Sequence, residues 1–383
     1  MEVYRVDRLS SLPNELLDHI FDLAHTYYEP LTGPLSHRLL PFFHRTVYRE
    51  IRIESYNGLA RLCMTAGLNP ILLSHTRRLD IVVKMTPDET DVVIWREKPR
   101  PTERLLFDQA ISMLFDQLVN LEELGLGGVN PVNEVIFFTQ RSFPMHSTLR
   151  ALDVTGVSES HFCEAKLPRF VHLTRLSWER RGYGAGSLAP QSSLDDHGPI
   201  FLPPRLEEFG LTGVLRDWAP TLENLSLPET VTCLALDDIG PISSLCSSLR
   251  LLVRHPEKLK QLTLFNSDDD AQTEADTRSC VDVLAQYPNL EALMAQGPWV
   301  PTTPAFYSAL AQLPLKSLSF AIDTEISTRG LINFVKSCKI PCRIKLDNVD
   351  SVRGDMLPRD QGVEAVRDAD LIGLGWNLPN CRR

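Results

Sequence analysis

The chain has 383 residues, of which 43% are hydrophobic and 23% are charged, and these values are typical of a globular protein with a substantial core. Its net charge of -10 disfavours nucleic acid as a partner, because phosphate backbones bind basic faces. The beginning of the sequence has no basic and then apolar secretion pattern, and no stretch approaches the ~18 apolar residues of a membrane span, so we expect a cytoplasmic or nuclear protein without membrane contact.

Residues 9–24 form the first predicted element, an amphipathic helix. Pro13 suits a first helical turn, and Glu15 favours the positive end of the helix dipole. On a helical wheel the apolar side chains occupy about half of the circumference; they are Leu12, Leu16, Leu17, Ile20, Phe21, Leu23 and Ala24. A helix packed on one neighbour needs an arc of only about 100°. The surplus predicts two apolar contacts, one within the chain and one with another protein.

From residue 51 onward, a phrase of the form Leu-x-x-Leu-x-Leu recurs. Its middle apolar residues, or their equivalents, are Ile51, Leu79, Leu124, Leu152, Leu176, Phe209, Leu234, Leu262, Leu293, Leu318 and Ile344. Apart from one gap of 45 residues, their separations lie between 24 and 33 residues, the period of a leucine-rich repeat. Because residues two apart in a strand share a face, each phrase predicts a short strand with one buried side. We therefore predict an α/β fold with about eleven parallel strands.

Between the strands the apolar period changes to three or four residues, which is typical of helices. The clearest case is residues 103–119, with an apolar stripe made of Leu105, Leu106, Ile111, Leu114, Phe115 and Leu118. Shorter stripes run through residues 280–287, 306–313 and 331–335. Helical crossovers between parallel strands predict a curved solenoid with strands on the concave side and helices outside. Ten strand steps would make a concave wall on the order of 48 Å long, which suits a protein partner.

Two parts of the sequence interrupt this rhythm. The gap of 45 residues between Leu79 and Leu124 contains a Pro-rich and charged stretch, residues 86–103, that we interpret as a surface insertion. The phrase with Leu225 at its middle lies halfway between two strands, so we place it on the outer face. We divide the chain into a helical segment at 1–50, a solenoid at 51–350 and a cap or tail at 351–383.

The outward residues of the predicted strands are candidates for binding a target protein. Phe265 and Met294 are distinctive, because an aromatic ring and a methionine on adjacent strands are suitable interface anchors. Asp237 and Gln296 complete the candidate target-binding set. The alternative is that a single exposed apolar residue is ordinary on any protein surface.

Catalytic and metal-binding patterns are poor. The glycine-rich residues 182–186 lead into a Pro-, Ser- and Gly-rich loop instead of the helix start that a phosphate cradle needs. The eight cysteines lack paired spacing, which indicates buried thiols, and none of the ten histidines forms a metal-binding pair. We expect no catalytic residues, no metal and no cofactor.

The beginning of the chain resembles an F-box, the module that binds the Skp-type adaptor of a cullin-RING ubiquitin ligase. The resemblance rests on Leu12-Pro13-Asn14-Glu15-Leu16-Leu17-Asp18-His19-Ile20-Phe21, then Pro34-Leu-Ser-His-Arg-Leu-Leu-Pro-Phe-Phe43 and Val47-Tyr-Arg-Glu-Ile-Arg-Ile53, in a style similar to fungal F-box proteins. With the repeats, the chain resembles an F-box and leucine-rich-repeat protein. The resemblance implies that the adaptor contact is made by Leu12, Pro13, Leu16, Leu17, Ile20 and Phe21.

Three hypotheses follow. The chain is a non-catalytic substrate receptor of a cullin-RING ligase of the SCF type, with an unidentified protein as its target. Alternatively, it is a ligase-independent interaction scaffold, in which the first helix only caps the open end of the solenoid. The third hypothesis, an enzyme or a GTPase activator built on repeats, lacks a catalytic constellation.

Overall fold

The computed structural model of the chain describes residues 12–17, 20–21, 37–82, 101–127, 132, 135–137, 140–156, 162, 165–179, 199–212, 224–237, 246, 249–265, 274–297, 300–301, 303–321 and 327–346. The glycine-rich residues 182–186, the tail at 351–383 and most of the insertion at 86–103 lie outside this part of the chain. The chain divides into two compact units; unit 1 comprises Met1–Gly156 and Ala165–Leu173, and unit 2 comprises Val157–Glu164 and Thr174–Arg383.

The described residues contain eleven strands, and their order follows the chain from β1 to β11. In unit 1 they are β1 (Glu50–Ile53), β2 (Arg78–Val82), β3 (Glu123–Gly127) and β4 (Ala151–Thr155). In unit 2 they are β5 (Arg175–Glu179), β6 (Glu208–Thr212), β7 (Cys233–Asp237), β8 (Gln261–Phe265), β9 (Ala292–Gln296), β10 (Ser317–Ala321) and β11 (Arg343–Leu346). Strand pairing within each unit is parallel. The predicted mixed α/β class and the strand count are confirmed.

The apolar residues that define the repeat are register partners of one another. In unit 1 the series is Ile51, Leu79, Leu124 and Leu152, each paired with the next. In unit 2 it is Leu176, Phe209, Leu234, Leu262, Leu293, Leu318 and Ile344. Every member from Leu79 onward is buried, because alternate side chains of a strand point to the same side of the sheet. The repeat period in the sequence therefore produces one row of these buried side chains in each unit.

A backbone contact at the start of eight strands, β1 to β3 and β5 to β9, holds neighbouring repeats together. The carbonyl oxygen of the residue before a strand accepts two hydrogen bonds from the next repeat. For example, the oxygen of Lys260 accepts from the N–H groups of Glu291 at 2.7 Å and Ala292 at 2.9 Å. We call this oxygen the entrance carbonyl. The same pair of bonds is formed by the entrance carbonyls of Arg49, Arg77, Glu122, Thr174, Glu207, Thr232 and Glu291.

Polar side chains three residues before a strand add a second contact between repeats. Thr148 Oγ1 donates to the carbonyl oxygen of Leu121 at 2.7 Å, and Thr230 Oγ1 donates to that of Leu206 at 2.6 Å. Asn120 and Asn289 occupy the same position and donate through Nδ2 to carbonyl oxygens of the preceding repeat, each at 2.7 Å. These bonds satisfy carbonyl groups in the turns, which parallel strand pairing leaves without partners.

Unit 1 has four helices with described bounds: α1 (Leu40–Val47), α2 (Tyr56–Leu68), α3 (Pro70–Leu73) and α4 (Pro101–Gln117). Helix α2 begins at an N-cap, since the Ser55 hydroxyl accepts a hydrogen bond from the Gly58 N–H at 3.1 Å. Helix α2 packs against α3 and α4. The helix predicted at 103–119 is confirmed. The assignment of Leu106 to its apolar stripe is wrong, because Leu106 is exposed, whereas Ile111 and Leu114 are buried.

Unit 2 has three helices with described bounds: α5 (Glu274–Leu284), α6 (Pro304–Leu310) and α7 (Thr328–Ser337). Helix α6 packs against α5 and α7. Leu225 forms an isolated parallel bridge with Ile200 and belongs to none of the eleven strands, and its side chain is buried. Its placement on the outer face stays a prediction. None of the helices in the described residues is both long enough and apolar enough to cross a bilayer.

Candidate functional site

The predicted adaptor-binding helix has one side buried within unit 1. Residues 14–17 and 20–21 are helical, and Leu17 and Phe21 are buried with Leu39 in a small core cluster. The rings of Phe21 and Phe42 stack with their centroids 6.3 Å apart. Leu17 and Phe21 are four residues apart and therefore lie on one face of the helix. That face attaches the helix to α1.

The other apolar face of the same helix is open to solvent. Leu16 is 50% exposed and Ile20 is 37% exposed, and they too are four residues apart. Pro13 is exposed at the beginning of the helix. We call Leu16 and Ile20 the exposed pair. Of the six predicted adaptor-binding residues, the exposed pair and Pro13 are accessible, whereas Leu17 and Phe21 support the helix from below.

The first residue of the predicted set is tied to the segment that leads into α1. Arg38 Nη2 donates a hydrogen bond to the carbonyl oxygen of Leu12 at 3.0 Å. The Leu12 side chain packs, half-buried, against the cluster of Leu17, Phe21 and Leu39. This bond and this packing fix the beginning of the helix, so the exposed pair has a defined position on unit 1.

The predicted target-binding residues lie on strands of unit 2. Phe265 and Gln296 are register partners on β8 and β9, while the partner of Met294 is Thr263. Phe265 and Met294 are therefore diagonal neighbours on parallel strands, with Cα atoms about 8 Å apart. Both side chains are half-buried, with their outward positions alternating with buried leucines. Asp237 ends β7 opposite Thr212, and its side chain is outside the described part of the chain.

The outward positions of β8, β9 and β10 contain no charged residue among those with described side chains. We call this surface the uncharged panel; its members are Gln261, Thr263, Phe265, Ala292, Met294, Gln296, Ser317 and Ser319. The strands of unit 1 differ, because Arg78 on β2 pairs with Asp80 at 3.0 Å and with Glu123 at 3.6 Å. Those two carboxylates, with Asp80 first, raise the pKa of Arg78. Sequence reasoning noticed two anchors in the panel but missed the absence of charge around them.

A row of charged residues borders the uncharged panel where the strands begin. Lys260, Glu291 and Lys316 hold the positions before β8, β9 and β10. Lys316 Nζ lies 2.8 Å from Glu291 Oε2. The hydrogen bond from Lys316, together with the charges of Lys316 and Lys260, lowers the pKa of the Glu291 carboxyl. An uncharged centre with a charged border is the usual composition of a protein interface.

Metal ligation has no support in the described residues, which contain no group of three or more His, Cys, Asp or Glu side chains that could hold an ion. The described cysteines are free thiols, and three of them, Cys246, Cys280 and Cys342, are buried.

Comparison with solved structures gives similarity of low degree. No protein-family model matches the chain, and no curated protein matches it. Among solved structures, the crystal structure of a Bacteroides fragilis protein from a structural genomics consortium is similar at 13% sequence identity and a TM-score of 0.40. The similarity covers 60% of this chain and 69% of the Bacteroides chain. At that identity and TM-score, we draw nothing further from it.

Proposed function

We propose that this protein is a substrate receptor of a cullin-RING ubiquitin ligase of the SCF type, acting in the cytoplasm or nucleus. Its first helix would bind a Skp-type adaptor, as the F-box resemblance implies, and the sheet would be the concave wall of a leucine-rich-repeat solenoid that binds a target protein. The chain would perform no chemistry, since holding a target near a ubiquitin-charged enzyme raises the effective concentration of the reacting groups.

The observation that carries the proposal is the division of the first helix into two apolar faces. Leu17 and Phe21 use one face to bind the helix to its own unit, and the exposed pair leaves the second face without cover among the described residues. A helix that served only as a cap would need a polar outer surface. Two neighbouring leucine and isoleucine side chains on the outer surface instead favour a partner that buries them.

The uncharged panel supports the second half of the proposal. Residues that bind a protein partner are depleted in charge at the centre of the interface and enriched in aromatic residues and methionine. Phe265 and Met294 supply these anchors, and the small side chains of Ser317 and Ser319 leave room beside them. A target segment that lies across β8, β9 and β10 would not need to break an ion pair within the panel.

Copurification of the full chain with a Skp-type adaptor tests the proposal. The informative variant is Leu16→Glu with Ile20→Glu, because it places two carboxylates on the exposed face and leaves Leu17 and Phe21 in the core. We expect the unchanged chain to recover the adaptor in equimolar amount and the variant to recover at least tenfold less. Truncation of Phe21 would be a poorer test, since it removes a buried ring and alters folding.

A matched control is Leu106→Glu, which places a charge at another exposed leucine, on α4. We expect this variant to recover the adaptor as well as the unchanged chain does. If the adaptor is recovered neither with the unchanged chain nor with either variant, the ligase role is rejected. If the chain still captured a partner protein through Met294 in that case, the ligase-independent scaffold would take its place.

A further inference from the structure

A polar cavity of about 430 Å³ lies in unit 1, beside the starts of β1, β2 and β3. It is not part of the exposed pair or of the uncharged panel. Its charged and polar lining includes Arg45, Arg49, Arg77, His75, Asn120 and Glu122. This is a volume within the range of small-molecule sites, which extends from about 300 to 1,000 Å³. The concentration of arginine in so small a space indicates an anionic ligand.

Backbone contacts fix the three arginines relative to one another. Arg49 and Arg77 occupy equivalent positions, each directly before a strand. The entrance carbonyl of Arg49 accepts hydrogen bonds from the N–H groups of Arg77 at 2.8 Å and Arg78 at 3.1 Å. The two backbone segments therefore run side by side about 4.8 Å apart. Arg45 lies in the last turn of α1, four residues before Arg49. The guanidinium groups therefore extend from rigid positions on neighbouring elements.

The opposite wall of the cavity is also fixed. Asn120 Nδ2 donates to the carbonyl oxygen of Ser74 at 2.7 Å, which joins the turn before β3 to the turn before β2. Glu122, the one carboxylate in the lining, forms an ion pair with Arg77. That pair holds the Arg77 guanidinium at the cavity wall. The frame exists before any ligand arrives, which lowers the entropy that binding must overcome.

The charge of the cavity is opposite to that of the whole chain. Three arginines and one glutamate give the lining a net formal charge of +2 with His75 neutral, whereas the chain carries -10. The pKa of His75 is lowered by burial and then by the positive charges of Arg45 and His44. The smaller part of that lowering, which comes from Arg45 and His44, is the response expected of an imidazole near positive charges. A negative ligand would find an attractive site on an otherwise acidic protein.

Phosphate matches this cavity better than a carboxylate does. A phosphate monoester carries about -1.5 to -2 charges at pH 7, which balances the lining, and its oxygens match the planar fork of a guanidinium group. A single carboxylate would neutralise half of the charge. We propose that the cavity between Arg45, Arg49 and Arg77 binds a phosphate group, either as inorganic phosphate or as part of a small phosphorylated molecule. This site is independent of the proposed ligase role.

Isothermal titration calorimetry of the full chain tests the site, with inorganic phosphate and phenyl phosphate as probes at constant ionic strength and pH 7.5. We expect one phosphate per chain. Arg45→Gln with Arg49→Gln should weaken binding at least tenfold, because it removes two charge-assisted contacts. Glu122→Gln should strengthen binding severalfold, because it removes the negative charge from the lining while the amide oxygen can still accept a hydrogen bond from Arg77.

A matched control separates the cavity from general positive charge. Arg52→Gln with Arg61→Gln removes the same charge from β1 and α2, outside the cavity lining, and should change affinity by less than twofold. Equal weakening by both double variants would overturn the proposal, and so would the absence of binding heat at about 10 mM probe. Unfolding cannot mimic the result, since Glu122→Gln is expected to act in the opposite direction.

The two probes identify the source of the phosphate. Tighter binding of phenyl phosphate would indicate a phosphorylated organic ligand, because its ring would contact the cavity beyond the arginines. Tighter binding of inorganic phosphate would indicate the free ion. Either order supports a phosphate site, provided that the Glu122→Gln and arginine variants move affinity in opposite directions.

Discussion

The ring of Tyr307 on α6 lies directly against the backbone of Gly330 on α7, with no space for a side chain at residue 330. The Tyr307 hydroxyl accepts a hydrogen bond from the Ser327 N–H at 3.2 Å, and the Ser327 hydroxyl accepts one from the Gly330 N–H at 3.1 Å. Gly330 is thus a point of close approach between two neighbouring helices of unit 2.

Gly330→Ala should destabilise the protein by about 1–3 kcal/mol, because the new methyl group overlaps the Tyr307 ring and forces it to move. Urea denaturation followed by circular dichroism measures the change. Gly67→Ala is the control: it also lies in a helix, but its methyl group would meet only Met113 Cε at 3.8 Å. That variant should be neutral or more stable by up to about 1 kcal/mol. Equal effects at the two sites would contradict the packing described for Tyr307.

Thr148→Val should destabilise unit 1 by about 1–2 kcal/mol. The substitution keeps the shape of the side chain and removes the hydroxyl that donates to the carbonyl oxygen of Leu121. Thr65 offers a control, since its hydroxyl bonds only to Arg61 within its own helix, and Thr65→Val should cost less than about 0.5 kcal/mol. Thermal unfolding of the two variants compares these losses. A smaller loss at Thr148 than at Thr65 would show that the bond between repeats contributes little.

His146 should make the stability of the protein depend on pH in the mildly acidic range. The side chain is 6% exposed, and its Nδ1 accepts a hydrogen bond from the Phe143 N–H at 3.1 Å. Burial, and then the charge of Arg169, lowers the pKa of His146 to about 4. Between pH 6.5 and 4 the unfolded chain therefore binds a proton that the folded chain does not. The contribution of neutral His146 to the free energy of unfolding should be fully present above pH 6.5. It should decrease as the pH falls towards 4 and should change no further below pH 4.

The expected loss from His146 is on the order of 3 kcal/mol across that range. His146→Asn is the informative variant, because an amide oxygen can still accept the bond from the Phe143 N–H and does not titrate. Urea midpoints measured at pH 7 and pH 5 should differ less for this variant than for the unchanged protein. The same difference in both proteins would assign the pH dependence to other groups.

Leu17→Ala and Leu16→Ala should differ in their effect on the first helix. Leu17 is fully buried, so its truncation should cost about 2–4 kcal/mol within the cluster with Phe21 and Leu39. Truncation of Leu16, which is half exposed, should cost less than about 1 kcal/mol. Hydrogen exchange of the amides at residues 12–21 reports the local change. Faster exchange with Leu16→Ala than with Leu17→Ala would reverse the assignment of the two faces.

The repeat was readable from the sequence because its signal is local and periodic. Each buried leucine, such as Leu262, lies about one period from its register partner, Leu293, and within each strand the residues between the buried positions face outward. Helix ends were less well defined: α4 begins at Pro101, two residues before the predicted start. Exposure of Leu106 could not be read from spacing, because it depends on which neighbours cover that side of α4.

The candidate sites depend on contacts between residues far apart in the chain. A helical wheel places Leu16 and Leu17 in one apolar arc, and only the packing of Leu39 and Phe42 separates the buried face from the exposed face. The phosphate cavity was missed for the same reason. Arg49 and Arg77 are 28 residues apart in sequence, and the strand register brings them together. The available signal was the residue type directly before each strand.

The entrance carbonyls determine which amino acids are tolerated directly before the strands. Because main-chain atoms form these bonds, they do not depend on the type of side chain at the same residue. Arginine, glutamate, threonine and lysine all occur there. Each repeat can therefore exchange the residue that precedes its strand without losing these backbone hydrogen bonds, although an exchange at Arg77, Glu122, Glu291 or Lys316 would also break an ion pair. Within either unit, the side chains directly before the strands can therefore be substituted one at a time, and new ligand preferences can arise there.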